Sequence, residues 1–321
     1  MKEIFKHCIQ VRKRDALLIP RRYSDTQIKV FSHMDHPGKN YGLGCAGITM
    51  DFYTDAPEIS FQCEILGEMT YGRMEHFDVW EDDVFTESIE WDGFKRISYR
   101  RRKKQESHII IYLPVLLYLG FSDMQLGNYR TVSSETAKLL VIGDSITHGM
   151  RGTMPSLALV PSIARALHMD YLNTAVGGEY HRADLINNLP PYSPDRILVH
   201  LGTNDVNRLD PPEICKNRIY DCYKEIAARW PGIRTDIITP VWRTEFSNGA
   251  KLGVERLAYT KLVSHQMFTI GAEFGFRVHN GLLLSPNTRA LLADHCHPND
   301  YGFMLYTQNL LSVLKIGGIQ I

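Results

Sequence analysis

The chain has 321 residues, 44% of them hydrophobic and 22% charged, an ordinary globular composition with length enough for two domains and a sizeable core. Lys plus Arg and Asp plus Glu each number 36, so no net field draws the protein toward nucleic acid or an anionic membrane, and neither is expected as a partner. No apolar run approaches the ~20 residues of a membrane span, and six scattered cysteines without a Cys-x-x-Cys pair fit a reduced, cytoplasmic protein.

Met1 to Arg14 mixes charge with apolar residues and has no apolar core before a cleavage site, so it does not read as a signal peptide. Residues 1–133 then read as short strands at spacings near ten residues. Candidates are Gln27 to Phe31, Gly47 to Phe52, Ile59 to Ile65, His76 to Trp80, Phe94 to Tyr99, His108 to Pro114 and Phe121 to Leu126. Tyr53 to Glu58 has the composition of a hairpin loop. Many short strands without a helical period between them predict an all-β sandwich or jelly roll. Phe52, Phe61, Phe77, Trp80, Trp91 and Tyr112 have strand spacing and are expected in its core, a sugar-stacking platform being the alternative. The basic run Arg100 to Lys104 reads as a solvated hairpin tip, with a polyanion patch as its alternative.

A polar stretch around Ser133-Ser134-Glu135-Thr136 marks the boundary, and residues 134–321 change pattern to strand, helix, strand. Leu139 to Ile142, Tyr171 to Ala175, Arg196 to Leu201, Thr235 to Pro240 and Phe276 to Asn280 read as buried strands. Pro155 to His168, Arg182 to Leu189, Pro211 to Trp230, Val254 to Phe274 and a closing stretch to Lys315 read as helices. That alternation predicts an α/β domain with a parallel sheet and helices on both faces. Turns bearing Gly143-Asp144-Ser145, Val176-Gly177-Gly178 and Gly202-Thr203-Asn204 would then meet at the carboxyl edge of the sheet, where such sheets bind ligands.

The chemistry these turns can assemble is ester cleavage by serine, which needs a nucleophile, a base, a group to orient the base and donors for the developing oxyanion. Ser145 is the candidate nucleophile, His297 the base and Asp294 its orienting carboxylate, three residues apart on one loop held by Pro298. The oxyanion donors would be the backbone N–H groups of Ser145 and Gly178 and the side-chain amide of Asn204. Asp144 is left to shape the turn. No cofactor is required.

Gly143-Asp144-Ser145-Ile146, Asn173 through Gly178, Gly202-Thr203-Asn204-Asp205 and Asp294-x-x-His297-Pro298 resemble, in order and separation, the four blocks of the SGNH (GDSL-type) hydrolases, over roughly residues 138–315. The resemblance implies the flavodoxin-like SGNH fold for 134–321 and gives Ser145, Gly178, Asn204 and His297 the roles already assigned on chemical grounds. His76 to Trp80 and Ile109 to Pro114, ahead of the serine block, are similar to the β-sandwich domain of two-domain carbohydrate acetylesterases. That layout implies a serine esterase for acetyl or other short acyl groups on a carbohydrate or small glycoside, so the expected partner is a small-molecule or oligosaccharide ester. An acyltransferase using the same site, a lipase or thioesterase with longer acyl preference, and a carbohydrate-binding protein with an inactive second domain are the alternatives. The oligomeric state stays open, a homo-oligomer included.

Several residues near these blocks have plainer readings. His295, Cys296 and His297 with Asp294 could hold a metal, but adjacent loop side chains are expected to diverge, so no metal site is assigned. His148 and His181 flank the expected crevice and either touch substrate or fill polar structural roles, His200 reads as a structural histidine, and Cys215 and Cys222 share one helix face in the core. No Gly-x-Ser-x-Gly elbow, Walker sequence or dinucleotide fingerprint is present.

Overall fold

The computed structural model describes residues 1–33, 41–67, 76–93, 96–133, 136–247 and 249–315. Contacts divide the chain into two units, one of residues 1–135 with 153–158 and one of residues 136–152 with 159–321. The hexapeptide Thr153–Ala158, left in the second domain by the sequence pattern, thus groups with the first unit. Its Ser156 N–H donates to the buried carboxylate of Asp78 at 2.8 Å.

The first unit holds strands β1 (Phe5–Lys6), β2 (Gln10–Arg14), β3 (Leu17–Arg21), β4 (Thr49–Thr54), β5 (Glu58–Gly67), β6 (His76–Glu81), β7 (Val84–Glu90), β8 (Ile97–Arg100), β9 (Ser107–Tyr112), β10 (Tyr118–Gln125) and β11 (Tyr129–Thr131). One antiparallel sheet runs β1-β4-β9-β6-β7 with β11 on β4, and the other runs β2-β3-β10-β5-β8. Alternate side chains of both sheets meet in one core, where Phe61 of β5 packs against Phe77 of β6 at 5.6 Å between ring centroids. Phe52, Phe61, Phe77 and Trp91 are buried in that core, whereas Tyr112, though buried, is not part of the cluster and Trp80 is only half-buried, its ring beside those of Phe85 and Tyr112.

Three local expectations fail for physical reasons. Gln27 to Phe31 is not a strand but the end of a short helix α1 (Asp25–Ile28) and a 3-10 turn (Lys29–His33). Ser24 and Gln27 form a reciprocal capping box there, a local signal that outweighs the apolar alternation. Tyr53 to Glu58 is not a hairpin, because β4 and β5 belong to different sheets. Arg100 to Lys104 is likewise no hairpin tip: β8 pairs with β5 and β9 pairs with β4 and β6, so the run crosses between sheets. Arg101 is correspondingly buried, donating to the Ala56 carbonyl at 2.8 Å with its Nε 3.5 Å from Glu81. Phe94, Lys95, Ser134 and Glu135 lie outside the described residues.

The second unit carries strands β12 (Lys138–Gly143), β13 (Asp170–Asn173), β14 (Arg196–His200), β15 (Arg234–Ile238) and β16 (Arg277–His279), all parallel, in the order β13-β12-β14-β15-β16. Helices α2 (Ser145–His148), α3 (Leu159–Leu167), α4 (Ala183–Asn187), α5 (Thr203–Arg208), α6 (Pro212–Arg229), α7 (Lys251–Glu273), α8 (Gly281–Leu284) and α9 (Asp300–Lys315) follow between and after them. This is the flavodoxin-like doubly wound order, with its switch point beside β12. Leu139, Val141, Leu198 and Ile238 of the strands pack with Ile163 of α3 and with Phe303, Tyr306 and Leu310 of α9 in one core. The register pairs Val141 with Asn173 and Gly143 with His200, which brings the turns after β12, β13 and β14 to one edge.

Candidate active site

Three of the four blocks of the site begin where a strand stops, and the fourth lies on the loop before α9. Gly143 ends β12 because α2 doubles back at once: a Cβ on Gly143 would stand 2.6 Å from Thr147 Oγ1 and 2.7 Å from Thr147 Cβ. The bare Cα lets Thr147 reach His200 Nδ1 at 2.7 Å. Asp144 caps the turn, accepting from Ile146 N at 3.0 Å, and its second oxygen is buried without a hydrogen-bond partner among the described residues. Burial pushes its carboxyl up to about 7. Ser145 is the first residue of α2, so its own N–H has no partner within the helix.

His297 lies on the loop before α9, with its Nε2 2.7 Å from Ser145 Oγ and its Nδ1 2.8 Å from Asp294 Oδ2. Asp294 shapes that loop as well, its Oδ1 accepting the backbone N–H groups of Cys296 at 3.0 Å and His297 at 2.9 Å. Those bonds and the facing imidazole outweigh burial and hold the Asp294 carboxyl well below its ordinary range. Asp294 is therefore an acceptor, so Nδ1–H of His297 donates to it and Nε2 is free to accept the Ser145 hydroxyl proton. Burial pulls the His297 pKa down, yet Asp294, and then Cys296, outweigh it and raise the value above the ordinary imidazole range.

The turn after β13 is tied to both neighbours. Asn173 donates from Nδ2 to Thr147 O at 3.2 Å and accepts from Ala175 N at 3.0 Å, fixing the turn against α2. Gly177 N–H donates to His148 Nδ1 at 3.1 Å and is thereby spent. Gly178, at φ +87° and exposed, keeps its N–H without a partner among the described residues, which separates the two glycines on physical grounds. On the other side, Asn204 Nδ2 donates to Glu179 O at 2.9 Å, while His181 donates from its backbone N–H at 3.2 Å and has its Nδ1 2.9 Å from the same oxygen of Asp205. These bonds join α2, the turn and α5 into one cradle holding the N–H groups of Ser145 and Gly178 and the amide of Asn204.

The amide of Asn204 is oriented by both its ends. Its Oδ1 accepts from Asn207 Nδ2 at 3.2 Å, and Asn207 Oδ1 accepts from Arg243, so one Nδ2 hydrogen of Asn204 remains for a ligand. Asn207 was legible as a residue three positions on from Asn204, on the same helix face. Arg151 left no such signal: its Nε stands 3.3 Å from Asp294 Oδ2, on backbone at φ +76°.

The three flanking histidines are internal. His148 and His181 are fully buried in the contacts just described, and His200, held by Thr147 and by Tyr306 at 2.9 Å, is pushed down to about 3 by burial and stays neutral. Cys215 and Cys222 are both buried in α6. The Asp294 to His297 loop departs from expectation, because its adjacent side chains do not all diverge. A carboxylate oxygen of Asp294, Cys296 Sγ and His297 Nδ1 all lie within 4.8 Å of one another.

The profile of the GDSL-like lipase/acylhydrolase family matches residues 141–305. No curated protein matches the sequence. Among solved structures, the salicylyl-acyltransferase SsfX3 of a tetracycline biosynthetic pathway superposes with a TM-score of 0.79 at 16% identity, over 98% of this chain and 95% of that one. A protein from Bacteroides ovatus described as a GDSL-like lipase gives 0.77 at 15% identity over the same shares, 98% and 95%. A family two carbohydrate esterase from Cellvibrio japonicus gives 0.66 at 14% identity, again over 98% and 95%. At these identities the likeness is one of fold, a parallel-sheet hydrolase preceded by a β-rich domain. Among the described residues no helix is long and apolar enough to cross a membrane. The match over more than half of the chain settles the family: this protein belongs to the GDSL-like lipase/acylhydrolases and is a carboxylic ester hydrolase.

Proposed function

We propose that the protein is a serine esterase that removes acetyl or another short acyl group from a carbohydrate or small glycoside. The observation that carries the mechanism is the line from Ser145 Oγ to His297 Nε2, 2.7 Å, and from His297 Nδ1 to Asp294, 2.8 Å. Ser145 Oγ attacks the ester carbonyl carbon while its proton passes to His297 Nε2, and Asp294 stabilises the imidazolium that forms. The tetrahedral oxyanion is held by the Ser145 and Gly178 N–H groups and the Asn204 amide. His297 returns its proton to the departing alcohol, leaving Ser145 acylated. Water then attacks the acyl carbon, gives His297 a proton, and the free acid departs as Ser145 regains its hydrogen.

The acyl and alcohol preference is supported by layout: family two carbohydrate esterases place a β-rich domain before the same hydrolase fold. The test is a panel of p-nitrophenyl esters of increasing acyl length beside acetylated mono- and oligosaccharides, with acid release measured. Highest kcat/KM on acetate and release from the sugar acetates support the reading. A kcat/KM that climbs with chain length, or sugar acetates left intact, overturns it. A second reading, acyl transfer, draws on the full-length likeness to a salicylyl-acyltransferase. Up to acyl-Ser145 the chemistry is common, so product analysis with an alcohol acceptor separates the two: free acid alone at every acceptor concentration excludes transfer. Six cysteines without disulfides support a reducing, cytoplasmic location.

A further inference from the structure

The loop that carries the base and its carboxylate also carries a thiol, Cys296, to which the ester-cleavage steps give no part. Cys296 Sγ lies 3.6 Å from His297 Nδ1, the same nitrogen that faces Asp294 Oδ2 at 2.8 Å. With Zn–N of about 2.0–2.1 Å, Zn–S of about 2.3 Å and tetrahedral angles, the two ligands of a zinc ion stand about 3.5 Å apart, and a nitrogen and a carboxylate oxygen about 3.3 Å apart. The sulfur–nitrogen separation already matches, the oxygen needs to withdraw from the nitrogen by about half an ångström, and sulfur and oxygen stand within 4.8 Å of each other, so binding draws the three donors together by small side-chain shifts. Asp294 Oδ1 is anchored by two backbone N–H groups, which leaves Oδ2 as the ligating oxygen.

We propose that Asp294, Cys296 and His297 form a site for a thiophilic divalent cation, Zn²⁺ in the first place, and that its occupation switches the enzyme off. The ion takes the lone pair of His297 Nδ1 and the Cys296 thiolate, and the thiol proton goes to solvent. A neutral imidazole carries one proton, so with metal on Nδ1 that proton sits on Nε2 and points at Ser145. His297 then donates toward the serine and cannot accept from it. No electron is transferred, and a chelator reverses the step. Arg151, 3.3 Å from Asp294 Oδ2, competes with the cation for that oxygen, so the site is a reversible regulatory one with water in the fourth position. The inhibition rests on reading His297 as the base, whereas the binding does not.

The test therefore has two arms on the full chain. In the first, esterase activity is titrated with ZnCl₂ and restored with EDTA, in wild type and in Cys296→Ala and Cys296→Ser, each checked for native melting. The expected result is reversible loss of activity in wild type, with the half-inhibiting concentration raised at least the ~10-fold that loss of even an outer-shell partner costs in both variants. In the second, Co²⁺ is added to Ser145→Ala, with and without Cys296→Ala. A thiolate-to-cobalt charge-transfer band that appears only when Cys296 is present shows binding without any appeal to activity. Variants as zinc-sensitive as wild type, or no cobalt–thiolate band, overturn the proposal. A band with no inhibition refutes instead the role given to His297.

Discussion

Asn204→Ala removes one donor from the oxyanion cradle while leaving nucleophile and base in place. In the structure one Nδ2 hydrogen of Asn204 is spent on Glu179 O at 2.9 Å and the other is left for the ligand, with Asn207 holding the carbonyl end at 3.2 Å. Loss of one such donor costs on the order of 10²–10³ in kcat, about 2.7–4 kcal/mol, because the bond strengthens only as charge develops on the carbonyl oxygen. KM should change little. The same substitution leaves Glu179 O without its donor, which costs about 1 kcal/mol of stability, so the variant remains folded. Asn207→Ala keeps the donor and frees only its aim, so its loss in kcat should be smaller, about tenfold, the scale of an outer-shell partner. The assay is kcat and KM on p-nitrophenyl acetate beside a thermal melt. An Asn204→Ala enzyme that melts normally and keeps kcat within a few-fold of wild type, or loses only KM, refutes the cradle.

Asp294 raises the His297 pKa above its ordinary value of 6.5, and the base works only when neutral, so kcat/KM should rise with pH through that raised value. Asp294→Asn removes the cause: the rising limb should move to lower pH while kcat falls by up to about 10⁴. A limb that stays put in the variant contradicts the assignment. Asp144 is a different carboxylate, lifted by burial from 3.8 to about 7, so its share of stability is full below pH 3.8 and is lost as pH rises through 7. Asp144→Asn keeps the cap on Ile146 without a charge to bury, and should flatten that decline while preserving activity; Asp144→Ala should cost about 1 kcal/mol through the lost cap. Melting at pH 5 and pH 8 reads both, and a collapse of kcat in Asp144→Asn would place that residue in proton transfer after all.

The turns bearing Ser145, Gly178 and Asn204 are legible because they follow strand ends, and the Asp294 to His297 loop because of its own short motif. Buried apolar runs such as Leu139 to Ile142 and Arg196 to Leu201 announce parallel strands, and the polar turn after each must reach the carboxyl edge. The sandwich was legible only where strands are central. β7 is an edge strand of mostly exposed residues, and it turns from β6 through Asp82 and Asp83 at φ +48° and +63°, a pair that satisfies a two-residue hairpin without the usual Asn-Gly. β2 is half-buried to exposed and carries three basic residues, so neither strand shows alternation. A basic run such as Arg100 to Lys104 reads as solvated because such runs usually are, whereas the burial of Arg101 follows from a crossing between sheets that composition does not encode. Asp294, Cys296 and His297 were expected to diverge, yet the two backbone bonds to Asp294 Oδ1 curl the loop until their donor atoms converge.

The central claim is that Ser145 is the nucleophile and His297 its base. The most direct measurement labels folded protein with a fluorophosphonate probe, maps the adduct by mass spectrometry and sets the activity of Ser145→Ala on p-nitrophenyl acetate beside wild type. The account predicts one adduct, on Ser145, absent from the variant, with activity down by about 10⁴ or more, the scale on which loss of a serine nucleophile falls. An adduct elsewhere, or a variant that keeps more than about a hundredth of wild-type activity, contradicts it.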